Sequence, residues 1–153
     1  PVGFLVRSSG GTFGFLTDLG HATKLAIERI RQANVLLLES NHDLKLLQED
    51  LKRPWSVKQR ILSRHGHLSN DAAGQVVEQI VSADLRHLFL GHLSADCNRP
   101  ELALRTMRQA LERVGGTHVR IEVTPQTVPC PARALDSANC AAKEAVKGKP
   151  EQG

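Results

Sequence analysis

The chain has no tyrosine, one tryptophan, one methionine and four phenylalanines among its 153 residues. Aromatic rings therefore cannot dominate its interior, and a core of leucine, valine, isoleucine and alanine is expected. Cysteine is scarce as well. Cys97, Cys130 and Cys140 are odd in number and lack CxxC spacing. That excludes a disulfide framework and a structural zinc knot, and it points to a reducing compartment, the cytoplasm. No apolar run approaches the roughly 20 residues of a membrane span, so no membrane partner is expected. No signal-peptide pattern opens the chain. Excess charge is small. The net value of +4 is compatible with a polyanionic partner without establishing one. The start, Pro1-Val2-Gly3, lacks Met and enters strand-like sequence at once, which reads as a piece of a longer protein.

What is present is ordinary for a globular domain: 41% hydrophobic and 24% charged residues. Gly3–Val6 and Thr12–Leu16 read as two strands joined by the turn Ser8-Ser9-Gly10-Gly11. Residues 22–33 carry an apolar stripe at helical spacing. Val35–Leu38 is a short, wholly apolar run, as expected of a strand covered on both faces. Leu44–Leu51 and Val57–Leu62 read as helices interrupted by Pro54-Trp55-Ser56. Ser69 is a helix N-cap ahead of the stripe Ala72, Ala73, Val76, Val77, Ile80 and Val81. Arg86–Leu90 reads as a strand, Pro100 as the first residue of a helix that Gly115-Gly116 ends, and residues 119–123 as a half-buried strand. Strands alternating with helices define an α/β (α+β) class. From Pro125 the texture shifts to Pro, Ala, Lys and Gly without a period. The expected division is a folded unit over 1–124 and a disordered tail over 125–153.

Three apolar strands run into ionisable residues: Asp18, Glu39 and His92. Strand-end loops are where a rigid sheet presents chemistry. Carboxylate and imidazole are the ligand types of Zn²⁺ and Mn²⁺ sites. Taken singly, and from spacing alone, Asp18 reads first as a turn or cap residue and His92 first as a loop histidine.

In order along the chain stand Thr17-Asp18-Leu19-Gly20, Glu39-Ser40-Asn41-His42-Asp43, Arg53-Pro54-Trp55-Ser56-Val57-Lys58-Gln59-Arg60-Ile61-Leu62-Ser63, Gly66-His67-Leu68-Ser69-Asn70 and Gly91-His92-Leu93-Ser94. Together these five segments resemble the C-terminal half of the YycJ-type (WalJ-type) metallo-hydrolases, a branch of the metallo-β-lactamase fold superfamily related to ribonuclease Z. The likeness covers about residues 1–124. It implies the second half of an αββα sandwich and hydrolysis of phosphodiesters in nucleic acid, DNA favoured, in a 5′→3′ exonuclease-like manner. It implies two divalent metal ions, Zn or Mn, with Asp18 bridging them and His92 binding one. It implies a catalytic pair in Glu39 and His67, His67 donating a proton to the leaving oxygen. His42, Asp43 and Ser69 take supporting places.

The superfamily's HxHxDH motif is absent from this chain; His65-Gly66-His67 supplies only HxH. The parent protein is therefore expected to be an enzyme, and this chain alone to bind metal poorly and turn over little. Small phosphodiesters or esters are an alternative substrate class, and a non-catalytic nucleic-acid or partner-binding fragment is another. Lys52, Arg53, Trp55, Lys58, Arg60 and Arg64 form the densest basic stretch, suited to phosphates and base stacking. The same residues read as a solvated helix face with Trp55 as a core anchor. A half-sandwich would leave one sheet face bare, so self-association is expected.

Overall fold

A computed structural model describes residues 3–132; of the expected tail, 133–153 lie outside the described residues, and 125–132 hold no helix or strand. The strands are β1 (Gly3–Ser8), β2 (Gly11–Leu16), β3 (Val35–Glu39), β4 (His87–Gly91) and β5 (Arg120–Val123). The helices are α1 (Lys24–Ile30), α2 (Leu44–Glu49), α3 (Trp55–Ile61), α4 (Asn70–Ile80) and α5 (Pro100–Arg113). The architecture is mixed α/β.

The five strands form one sheet in chain order, β1-β2-β3-β4-β5. β1 and β2 are an antiparallel hairpin; β2, β3, β4 and β5 run parallel. Crossovers of one hand, stepping always in one direction, place their helices on one side of a sheet. Leu16, Leu36, Leu38, Leu88 and Leu90 pack there against Val76, Val77 and Ile80 of α4 and Met107 and Leu111 of α5. Side chains alternate along a strand, so the other face carries Phe13, Phe15, Leu37 and Phe89. These four are only half-buried, and Phe4 and Val6 of β1 are exposed. The expectation that Val35–Leu38 is covered on both sides is therefore met on one side only. An all-apolar strand states what it prefers, and the described residues supply only one covering layer.

Several boundaries move for local reasons. α1 starts at Lys24 rather than residue 22, because Thr23 caps it, its Oγ1 accepting from the Ala26 amide at 3.2 Å. α3 starts at Trp55 rather than Val57. Pro54 precedes it with φ −57°, already set for helix entry, so the Pro-Trp-Ser segment begins the helix instead of breaking it. Trp55 is 62% exposed, which removes it as a core anchor. Ser69 caps α4 as expected, accepting from the Ala72 amide at 3.1 Å. Pro100 opens α5.

Candidate metal centre

In open parallel sheets, the rim at the carboxyl ends of the strands is where loops converge on a ligand. Asp18 follows β2, Glu39 ends β3 and His92 follows β4, so all three stand on this rim on adjacent strands. Asp18 and His92 are the only non-glycine residues among those described with positive φ, at 59° and 56°. Such conformations cost energy and persist where the surroundings hold them.

His67 reaches the same rim from the loop before α4. That loop packs tightly: the His67 amide donates to the Ile61 carbonyl at 2.9 Å and the Gly66 amide to Ser63 at 2.9 Å. A Cβ on Gly66 would run into the carbonyls of Ile61 and Arg60, and one on Gly20 into the Ser63 carbonyl. Only glycine lets the loop after Asp18 and the loop before His67 lie against each other.

Glu39 is fully buried and organises the group. Its Oε1 lies 2.7 Å from Nδ1 of His67 and 2.7 Å from Nδ1 of His92. Its Oε2 accepts from the Leu19 amide at 3.1 Å and the Leu68 amide at 3.3 Å. A carboxylate can only accept, so each imidazole donates from Nδ1 and keeps its lone pair on Nε2. This is the arrangement that orients histidines as metal ligands. Nε2 of His92 is 3.7 Å from Asp18 Oδ1. One ligand atom each from Asp18, His67 and His92 lies within 4.8 Å of the others. Two imidazoles and a carboxylate in that space fit a divalent cation.

Asn41 received no role from the sequence, yet it ties the rim together. Its side-chain amide donates to the His92 carbonyl at 2.8 Å, its backbone amide to Leu68 at 2.8 Å, and its carbonyl accepts from Ser94 at 2.7 Å. The only signal was its place two residues after the end of β3, in a segment already singled out for Glu39. Asn70 and Asn98 form a second buried pair at 3.0 Å, and Asn70 accepts from the Ser40 hydroxyl at 2.7 Å.

The remaining residues divide. Asp43 caps α2, its Oδ1 accepting from the Leu46 amide at 3.0 Å. His42 is buried, and neither ring nitrogen has a hydrogen-bond partner among the described residues. Burial, reinforced by nearby His67 and opposed by Asp43, pushes its pKa down to about 4. Lys58 must be withdrawn from the nucleic-acid set. It is buried, and its ammonium donates to the Gln48 carbonyl at 2.8 Å. Arg53 bridges Asp50 and Asp96, at 2.5 and 2.9 Å, and Lys52 also pairs with Asp96. These pairs hold both carboxyls below the usual range and tether the 50–53 turn to the loop after His92. Cys97 is buried beside them, and burial pushes its thiol pKa up. Of the six basic-stretch residues, Trp55, Arg60 and Arg64 are exposed and have no side-chain partner among the described residues.

The fold and rim thus define an α/β protein with a carboxylate-braced histidine–aspartate cluster. Comparison with curated proteins carries this further. The chain is 34% identical over 115 residues to a protein named Exodeoxyribonuclease YycJ from Bacillus anthracis, covering 75% of this chain and 43% of that protein. Two proteins named Exodeoxyribonuclease WalJ, from two strains of Streptococcus pneumoniae, are each 36% identical over 96 residues, covering 63% of this chain and 35% of theirs. No family model matches. Across the matched region the chain is similar to these YycJ and WalJ proteins. It spans less than half the length of these relatives. Among the described residues, no helix is long and apolar enough to cross a membrane.

Proposed function

We propose that this chain is part of a metal-dependent hydrolase that cleaves phosphodiester bonds in nucleic acid, with DNA as the favoured substrate. The observation that carries the reading is the convergence of Asp18, His67 and His92 on one rim, with both histidines braced by a single oxygen of Glu39. The names of the relatives support the substrate class. A bound divalent ion would supply Lewis acidity and an activated water. The residues of this chain hold the ligand atoms in place, keep the Nε2 lone pairs free and bring positive charge from Arg60 to the approach.

The bare sheet face supports the domain reading. Phe4, Val6, Phe13, Phe15, Leu37 and Phe89 form an apolar surface that a second sheet would cover, as in the αββα sandwich of the metallo-β-lactamase fold. The extra length of the relatives is sufficient to provide it. The 153-residue chain on its own is expected to self-associate through this face. Sedimentation velocity checks this, and a concentration-independent monomer would count against it.

Three donors are the usual protein minimum for one catalytic ion. A second ion has no comparable donor set among the described residues. Calorimetric titration of the chain with Zn²⁺ or Mn²⁺ is expected to show at most one site. Tight uptake of two ions would overturn the reading of an incomplete centre. The resemblance gives His67 a proton-donor role, whereas the geometry groups its ligand atom with those of Asp18 and His92. His67→Ala is expected to lower metal affinity along with His92→Ala. Unchanged affinity would return His67 to proton transfer. Hydrolysis of single- and double-stranded DNA by the longer protein, against a small phosphodiester, separates the two substrate classes.

A further inference from the structure

One cavity adjoins the cluster. It has a volume of about 380 Å³ and lies between α3, the 65–67 loop and Asp18. Val57, Arg60 and Ile61 line it from the helix. They stand at i, i+3 and i+4, so one face of α3 is turned to it. His65 and Gly66 form the opposite edge, and Asp18 and His67 open it to the cluster. Trp55 is not among the lining residues.

The walls differ in chemistry. Val57 and Ile61 are apolar. Arg60 is exposed, its guanidinium has no partner among the described residues, and it is the one arginine among the residues lining this cavity. Asp18 lines the same cavity but stays with Thr17 at 2.9 Å and His92. A ligand here meets a cationic end, an apolar side and a metal-seeking end. That sequence matches a nucleotide lying along the helix, its sugar against Val57 and Ile61 and a phosphate at Arg60. Arginine's planar fork suits a phosphate better than any other side chain.

We propose that this cavity seats the terminal phosphate of a polynucleotide, next to the bond addressed by the cluster, with Arg60 as its principal contact and His65 as a second donor. The proposal rests on the nucleic-acid reading above and specifies how the substrate is registered on the rim. The phosphate can belong to a phosphorylated 5′ or 3′ terminus, and the experiment distinguishes them.

Labelled oligothymidylates carrying a 5′-phosphate, a 3′-phosphate or neither would be titrated with the 153-residue chain in EDTA, read by fluorescence anisotropy. One phosphorylated form is expected to bind roughly fivefold more tightly than the unphosphorylated one. Arg60→Ala should erase that gap and Arg60→Lys should retain part of it. Arg105→Ala, which removes the same charge from an exposed site on α5, should leave it intact. No gap in the unsubstituted chain, or an equal loss in Arg105→Ala, overturns the proposal. Because the assay contains no metal, it is independent of the cluster. A gap without metal binding would refute the metal centre and keep the phosphate seat; metal binding without a gap would do the reverse.

Discussion

Glu39→Ala is expected to destabilise the chain by about 3–5 kcal/mol and to abolish metal binding. The side chain is fully buried and accepts from four groups: two imidazole Nδ1–H donors and the amides of Leu19 and Leu68. Alanine strands all four. Glu39→Gln keeps the shape but offers one acceptor oxygen and an NH₂ that must face donors. Its cost should be about 2 kcal/mol. The same change should weaken metal binding by about 10–100-fold, because both histidines lose the partner that fixes ring and tautomer. Urea denaturation reads the first effect and calorimetry the second. Wild-type values for Glu39→Gln in both would show that the shared oxygen does not brace the rings.

Acid should expose the second large effect. His42 has an ordinary pKa of 6.5 and is held at about 4 in the fold. Below pH 6.5 the unfolded chain takes up a proton that the folded chain refuses. Stability is therefore full above about pH 6.5 and falls as pH drops towards 4, where the folded form protonates too. The loss should be on the order of 2 kcal/mol after allowance for partial solvent screening, about 5 °C in Tm. His42→Phe should flatten this limb. It should not destabilise at pH 7, since it removes two buried nitrogens that have no partner among the described residues. Asp50 and Asp96 are also shifted down, but their pairs with Arg53 contribute stability that is lost only as pH falls below about 3.8, a lower window that keeps the two effects apart. Thermal melts from pH 7.5 to 4 decide it; parallel curves for His42→Phe and the parent chain would remove His42 as the cause.

Asp18, Glu39 and His92 were legible because each interrupts an apolar strand, and strand ends in a parallel sheet share a rim by construction. His67 was legible only through its order relative to Glu39, since a loop histidine has no local signature. The α/β alternation came through hydrophobic period and caps: Thr23 was passed over as a cap, and Ser69 was not. Lys58 shows where such reading stops. A lysine in a basic run looks solvated, and nothing nearby in sequence reveals that its ammonium turns inward to the Gln48 carbonyl ten residues back. Arg53 misled in the same way, its partner Asp96 lying 43 residues away. Asn41 was hidden because its three contacts reach loops that only the folded sheet brings near.

The strand order has a bearing on how the chain is made. Each strand neighbours the one synthesised before it, so no late segment must thread between two earlier ones. The sheet can grow from the hairpin outward as the polypeptide leaves the ribosome, each crossover helix closing over its own pair of strands. The rim is synthesised in the same direction: Asp18 first, Glu39 and His67 next, and His92 last, so the shared oxygen of Glu39 gains its second imidazole only when β4 has paired with β3.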